Sequence, residues 1–310
     1  MSYKTRDELV ALFKELANKY PSLVRKEILG YTYQGREILC YKIGPTWGGK
    51  VVWTGCIHGL EVLTSELLWL YANWLLQKAD PDAIRTLTHN LTMIIPAINL
   101  DSYRVKRKNA NPGGGGAWWL TGVNLNRNFT LGWCGGSDDP LNTLYKGTAP
   151  KSESETQAVY NFLERTHPAW LVDLHTGWSG IYKGNNPFVA TFDGHLNDVL
   201  SNYVRVCARR AVSFIYPINN TVNSGYILDD ALFLGAYSLA LEMYPQENSV
   251  VDGPPFADIE PIWFPRFLPL AIAVSEDCAK HRRTRFGDLN RRSLLAKNIM
   301  QKRNILMTPY

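Results

Sequence analysis

Residues 51–61, Val-Val-Trp-Thr-Gly-Cys-Ile-His-Gly-Leu-Glu, decide how this chain is read. The apolar run Val51 to Cys56 has the length and composition of a buried strand. His58 and Glu61 follow it, separated by two residues, and both can turn onto one metal ion. Zinc takes imidazole nitrogen at about 2.0–2.1 Å and carboxylate oxygen at about 2.0–2.2 Å. The same spacing also fits a helix start with a capping carboxylate. A catalytic zinc needs a third protein ligand and an open position for water, so residues elsewhere must decide.

Outward from this stretch, strands and helices alternate. Residues 1–20 read as an amphipathic helix with Leu9, Leu12, Phe13 and Leu16 on one face. Val24 to Tyr33 and Glu37 to Ile43 read as two strands joined by a turn at Gln34-Gly35-Arg36. Leu60 to Leu76 is long and apolar enough for a helix packed on a sheet, and Leu91 to Ile95 is another buried strand. Further helices are expected at Ser152 to Glu164, Leu196 to Val212, Gly225 to Leu234 and Phe264 to Ala279. Strands are expected at Trp170 to Leu174, Ser213 to Tyr216 and Tyr237 to Leu241. This alternation implies helices on both faces of a sheet. Between Asp101 and Pro150 the pattern breaks down around four successive glycines, Gly113 to Gly116, and reads as loop.

The 310 residues, 45% hydrophobic and 20% charged, fit a globular protein. No apolar run is long enough to span a membrane, and the charged start is unlike a signal peptide. Five scattered cysteines, Cys40, Cys56, Cys134, Cys207 and Cys278, lack Cys-x-x-Cys spacing. Reduced thiols in a cytoplasmic setting are therefore expected. The net charge of +5 owes much to the end, where Arg282, Arg283, Arg285, Arg291, Arg292, Lys297, Lys302 and Arg303 face Asp288. No aromatic residue interleaves with them between Gly287 and Thr308, which argues for a solvated helix rather than nucleic-acid binding.

Three ionisable residues share one context: His58, His175 and Glu242 each follow or end an apolar strand. Sites in open α/β sheets gather at the carboxyl ends of strands. His58, Glu61 and His175 then form the two-His, one-Glu ligand set of a hydrolytic zinc. Glu242 is left over as a general base for the water on that zinc. Taken singly, His175 also fits a core histidine, and Glu242 the partner of a core arginine.

From about Leu29 to Ala279 the chain resembles the zinc metallocarboxypeptidases of the carboxypeptidase A, B and T type. The likeness rests on ordered blocks: Leu29 to Ile38, His58-Gly-Leu-Glu61, Asn99-Leu-Asp-Ser-Tyr103 with Arg107-Lys108-Asn109, Gly122-Val-Asn-Leu-Asn-Arg-Asn-Phe129, Tyr145 to Thr156, Leu174-His175, and Tyr237 to Pro245. The resemblance implies one α/β domain over residues 1–280, a three-layer α/β/α sandwich with a central mixed, mostly parallel sheet. A basic C-terminal extension, 281–310, would follow it.

The resemblance further implies one zinc ion per chain and removal of a C-terminal residue from peptides by a zinc-activated water and Glu242. Arg107 would polarise the scissile carbonyl, and Asn126 and Arg127 would hold the substrate's free terminal carboxylate. The family's mobile tyrosine has no match by ungapped counting, which reaches Asn220; Tyr216 and Tyr226 are the nearest alternatives. The same count puts Ile227 at the base of the side-chain pocket, which leans toward apolar or aromatic terminal residues, whereas a small gap would place Asp229 or Asp230 there and favour basic ones. Leu60 stands where many members carry arginine. The expected partner is a peptide, with no nucleic acid and no membrane. Hydrolysis of γ-D-glutamyl bonds in cell-wall peptides, or a catalytically silent peptide-binding module, are the alternatives.

Overall fold

The first helix, α1 (Arg6–Lys19), begins with a reciprocal cap: the Thr5 hydroxyl accepts the Glu8 N–H, and the Glu8 carboxylate accepts the Thr5 N–H. It buries Leu9, Phe13 and Leu16, the expected face. In this computed structural model the described residues are 2–104, 122–131, 133–177, 180–183, 189–216, 218–220, 226–244 and 253–280. After α1 come β1 (Val24–Tyr31), β2 (Glu37–Ile43), β3 (Gly49–Thr54), α2 (Leu63–Gln77), α3 (Pro81–His89) and β4 (Asn90–Ile95). Then follow α4 (Ser154–Thr166), β5 (Trp170–His175), β6 (Gly180–Lys183), α5 (Val189–Arg209), β7 (Ile218–Asn220), α6 (Ile227–Phe233), β8 (Tyr237–Glu242) and α7 (Phe264–Lys280).

Among the described residues the eight strands form one sheet in the order β1-β2-β4-β3-β5-β8-β6-β7. Its centre, β4-β3-β5-β8, is wholly parallel, while β1, β2 and β6 add antiparallel pairings. Side chains alternate between the two faces, as strand geometry requires. Val51, Trp53, Trp170, Val172, Leu239 and Leu241 face one apolar layer with α1, α2, α5 and α7. Val52, Leu171 and Ala240 face the other, with α4 and α6. Parallel strands covered on both sides carry near-continuous apolar sequence, which is why Val51 to Cys56 and Trp170 to Leu174 read so plainly. The architecture is the expected α/β/α sandwich with a mixed, mostly parallel sheet.

Two local expectations need correction, and two elements had no expectation. Ser213 to Tyr216 is not a strand; the strand there is β7. Tyr216 is a core residue, its N–H donating to the Tyr203 hydroxyl and its own hydroxyl to the Met243 carbonyl. Helix α3, capped by Asp80 with Pro81 at its first position, and strand β6 were not read from the sequence. Helix α5 begins at Val189, before the expected Leu196.

Candidate metal centre

The loop after β3 is shaped by backbone contacts. Cys56 holds a left-handed φ of 45°, and Asn99 N–H donates to its carbonyl at 2.9 Å. The Thr64 hydroxyl, at the start of α2, accepts the Cys56 N–H at 2.9 Å and donates to the Glu61 carbonyl at 2.6 Å. Gly59 must be glycine, because a Cβ there would stand 2.2 Å from the Ser102 carbonyl oxygen. This turn aims His58 and Glu61 inward across the strand ends. Asp101, within one of the sequence blocks, does scaffold work: it accepts the Thr32 hydroxyl and the Gln34 N–H and pairs with Arg36, tying down the β1–β2 turn.

His58, Glu61 and His175 converge, all buried, with one donor atom from each within 4.8 Å of the others. Nδ1 of His58 lies 2.8 Å from Glu61 Oε1, and Nδ1 of His175 lies 3.0 Å from Oε2. The far side of each ring is also occupied. His58 Nε2 faces Asn124 Oδ1 at 3.2 Å, and His175 Nε2 faces Asp173 Oδ2 at 2.7 Å. Acceptors behind both Nε2 atoms leave both Nδ1 atoms facing the shared centre. That donor set, two imidazoles and a carboxylate, fits zinc. Burying several ionisable groups costs several kcal/mol each, and packing alone gives no reason for it. Burial pushes the Glu61 carboxyl up, but the two histidines outweigh it and hold it below the usual range. Burial pulls His175 down, but Asp173 and Glu61 outweigh it and raise the ring well above its ordinary value.

Glu242 ends β8 directly beside His175 in the parallel register. It is half-buried. On the opposite side, a single 3-10 turn, Leu125–Arg127, is capped by the Asn124 side chain, which accepts the Asn126 N–H at 3.0 Å. Asn126 Oδ1 accepts the Ile227 N–H at 3.1 Å, which turns its Nδ2 toward His175. Arg127 is buried, donates to the Asn126 carbonyl at 2.7 Å and to the Tyr226 hydroxyl at 3.2 Å, and lies 4.3 Å from the centre of the Tyr226 ring. Burial lowers its pKa from the ordinary arginine value, which the Tyr226 and Asp229 side chains partly oppose.

The structure therefore brings His58, Glu61, His175 and Glu242 to one edge, with Asn126, Arg127 and Tyr226 beside them. Ile227 meets this group through its backbone, while its side chain is fully buried in the apolar layer with α4. Asp230 is likewise buried and accepts the Thr130 and Leu131 N–H groups, anchoring the backbone after Arg127. Burial pushes its carboxyl up to about 6. Arg107 and the 281–310 extension lie outside the described residues. Sequence reasoning missed Asp173, Asn124 and Thr54 as neighbours of the cluster. Asp173 was open to discovery, since residues two apart on a strand share a face.

Comparison with known proteins follows the same line. The family model for zinc carboxypeptidases matches residues 9–225. Human carboxypeptidase O is 32% identical over 176 residues, covering 52% of this chain and 46% of that protein. Human mast cell carboxypeptidase A is 30% identical over 278 residues, covering 78% of this chain and 63% of that protein. The chain thus spans about half the length of most of the curated relatives it matches. Bovine thrombin-activatable fibrinolysis inhibitor, solved with a tick carboxypeptidase inhibitor, superposes with a TM-score of 0.74 at 21% identity, over 91% of this chain and 97% of that one. At that identity the likeness speaks for the fold.

Proposed function

This chain belongs to the zinc carboxypeptidase family, and from that premise we propose that it is a metallocarboxypeptidase, hydrolysing the C-terminal peptide bond of peptides. The observation that carries the reading is the convergence of His58, Glu61 and His175 beside Glu242 and Arg127. His58, Glu61 and His175 would hold one zinc ion per chain. Bound there, zinc supplies a Lewis acid for the carbonyl and lowers the pKa of a water toward about 7.

The chain's own residues supply the rest. Arg127 pairs with the terminal carboxylate, because its planar fork matches two carboxylate oxygens. Asn126, its amide turned toward His175, is the second group assigned to that carboxylate. Glu242 takes a proton from the attacking water and returns it to the leaving amine, at the end of a strand that fixes its position. Arg107, assigned from its sequence block alone, is the cation proposed to meet the negative charge that develops on the carbonyl oxygen.

The test is paired: zinc content by elemental analysis, and turnover of blocked dipeptides with free or amidated ends. One zinc per chain is expected, with loss of activity in chelator and recovery on adding zinc. Release of terminal residues from free-ended substrates is expected to exceed that from amidated ones. No stoichiometric zinc, or peptide binding without turnover, would overturn the reading. Faster cleavage of muropeptides than of ordinary dipeptides would move the substrate to the cell wall.

A further inference from the structure

Asp173 has no part in the reaction as proposed, yet it is fully buried behind the site. It lies two residues before His175 on β5, so both point to one face. One carboxylate oxygen stands 2.7 Å from His175 Nε2. The other accepts the Thr54 hydroxyl at 2.5 Å, from the position opposite it on β3. A carboxylate oxygen and an imidazole nitrogen this close need a proton between them. Thr54 already donates its proton to the other oxygen, so His175 carries hydrogen on Nε2. Asn126 Nδ2, 3.5 Å from the same nitrogen, is a donor and cannot accept that hydrogen.

His58 is backed differently. Its Nε2 faces the oxygen of an amide, Asn124, at 3.2 Å. That amide is oriented by its own Nδ2, which donates to the Thr143 carbonyl at 2.9 Å. One candidate ligand thus leans on a buried carboxylate and the other on a neutral group. A histidine that donates to a carboxylate is the stronger ligand, its tautomer fixed and its inner nitrogen more basic.

We infer that Asp173, anchored by Thr54, is a positioning residue for the metal: it holds His175 in the Nε2–H tautomer and presents Nδ1 to zinc. This rests on the zinc site proposed above. A purely structural role would be met as well by asparagine, which has the same shape and can still pair with the Thr54 hydroxyl. Asparagine differs in one respect that matters. Its amide N–H, placed against Nε2, favours hydrogen on Nδ1, the tautomer that cannot bind metal; the same substitution has this effect in serine-protease triads.

The experiment is competition for zinc against a chromophoric chelator, on the full chain. Asp173→Asn is expected to weaken zinc binding by roughly 10–100-fold, with circular dichroism and zinc-free thermal stability close to wild type. Thr54→Val, which removes the anchor and keeps the shape, is expected to weaken it less. In the zinc-loaded wild type, 15N-edited spectra are expected to show hydrogen on Nε2 of both rings, that of His175 farther downfield. A folded Asp173→Asn protein with zinc affinity within about twofold of wild type would overturn the inference. So would hydrogen on Nδ1 of His175 in the loaded protein. If Asp173→Asn does not fold, the spectra and Thr54→Val decide. A wild type that binds no zinc overturns the proposed function itself and this inference with it. A wild type that binds zinc beside an unaffected Asp173→Asn overturns this inference alone.

Discussion

Two clusters meet at Asn126, and they are built by opposite means. His175 and Glu242 end two adjacent parallel strands in a register set by ladder hydrogen bonds, and His58 and Glu61 stand on the tight turn just past the third strand. Asn126, Arg127 and Tyr226 stand on irregular backbone: one 3-10 turn and the start of a short helix. That second cluster is held by side chains instead. Asn128 donates to the Lys146 and Ala149 carbonyls and to the Ser152 hydroxyl, and Asp230 accepts two backbone N–H groups. The difference suits the two tasks proposed for them. A metal cluster must be held to within about 0.5 Å, and strand ends give that rigidity. A group that receives a chain end must let it in and out, and loop backbone at the rim allows that.

On this division, each cluster fails in its own way. The largest expected effect belongs to the strand-end cluster. Glu242→Gln keeps the shape of the side chain and removes the base. Turnover is expected to fall by at least ~10²–10⁴-fold, the usual share of general acid–base catalysis. Zinc content, fold and substrate affinity are expected to stay near wild type, since Arg127 and the ligands are untouched. Loss of stability with unchanged turnover per folded molecule would make Glu242 a structural residue and break the comparison.

The next effect belongs to the rim. Arg127→Ala removes a charged hydrogen-bonding partner worth about 1.5–3 kcal/mol, or roughly 10–150-fold in KM. That loss is expected for free-carboxylate substrates and not for amidated ones, with zinc affinity unchanged. Equal losses on both substrates would mean that Arg127 supports the fold rather than the substrate. A fall in zinc affinity would merge the two clusters into one.

The same contrast explains what the sequence disclosed. The strand-end residues were legible because Val51 to Cys56, Trp170 to Leu174 and Tyr237 to Leu241 are largely apolar runs, buried on both faces and followed within two residues by an ionisable one. The rim was legible only as a family motif, Gly122 to Phe129, because a single 3-10 turn has no periodicity to read. Ser213 to Tyr216 misled for a related reason: Phe214 and Tyr216 turn inward and pack edge to face at 4.9 Å while Ser213 and Ile215 face out, an alternation that coil shares here with a strand. Asp173 was in plain view, yet nothing in a single sequence distinguishes a carboxylate behind a ligand from one in front of it.

The smallest expected effect tests how the rim holds Arg127. The Tyr226 hydroxyl accepts one guanidinium N–H, and its ring covers the guanidinium face. Tyr226→Phe keeps the ring and removes only the acceptor. A hydrogen bond of this kind contributes about 0.5–1.5 kcal/mol, so KM for free-carboxylate substrates is expected to rise by roughly 2–10-fold. Amidated substrates and kcat should not respond, because the hydroxyl orients Arg127 and does not meet the scissile bond. Tyr226→Ala, which also uncovers the guanidinium, is expected to cost more than Tyr226→Phe and less than Arg127→Ala. The informative failure is one of sign. If Tyr226→Phe lowers KM, the hydroxyl competes with the substrate carboxylate for the same N–H, and Tyr226 is an occupant that must leave rather than a support that stays. Steady-state kinetics on one free and one amidated dipeptide separates the two, since competition at Arg127 predicts tighter binding of the free-ended substrate alone.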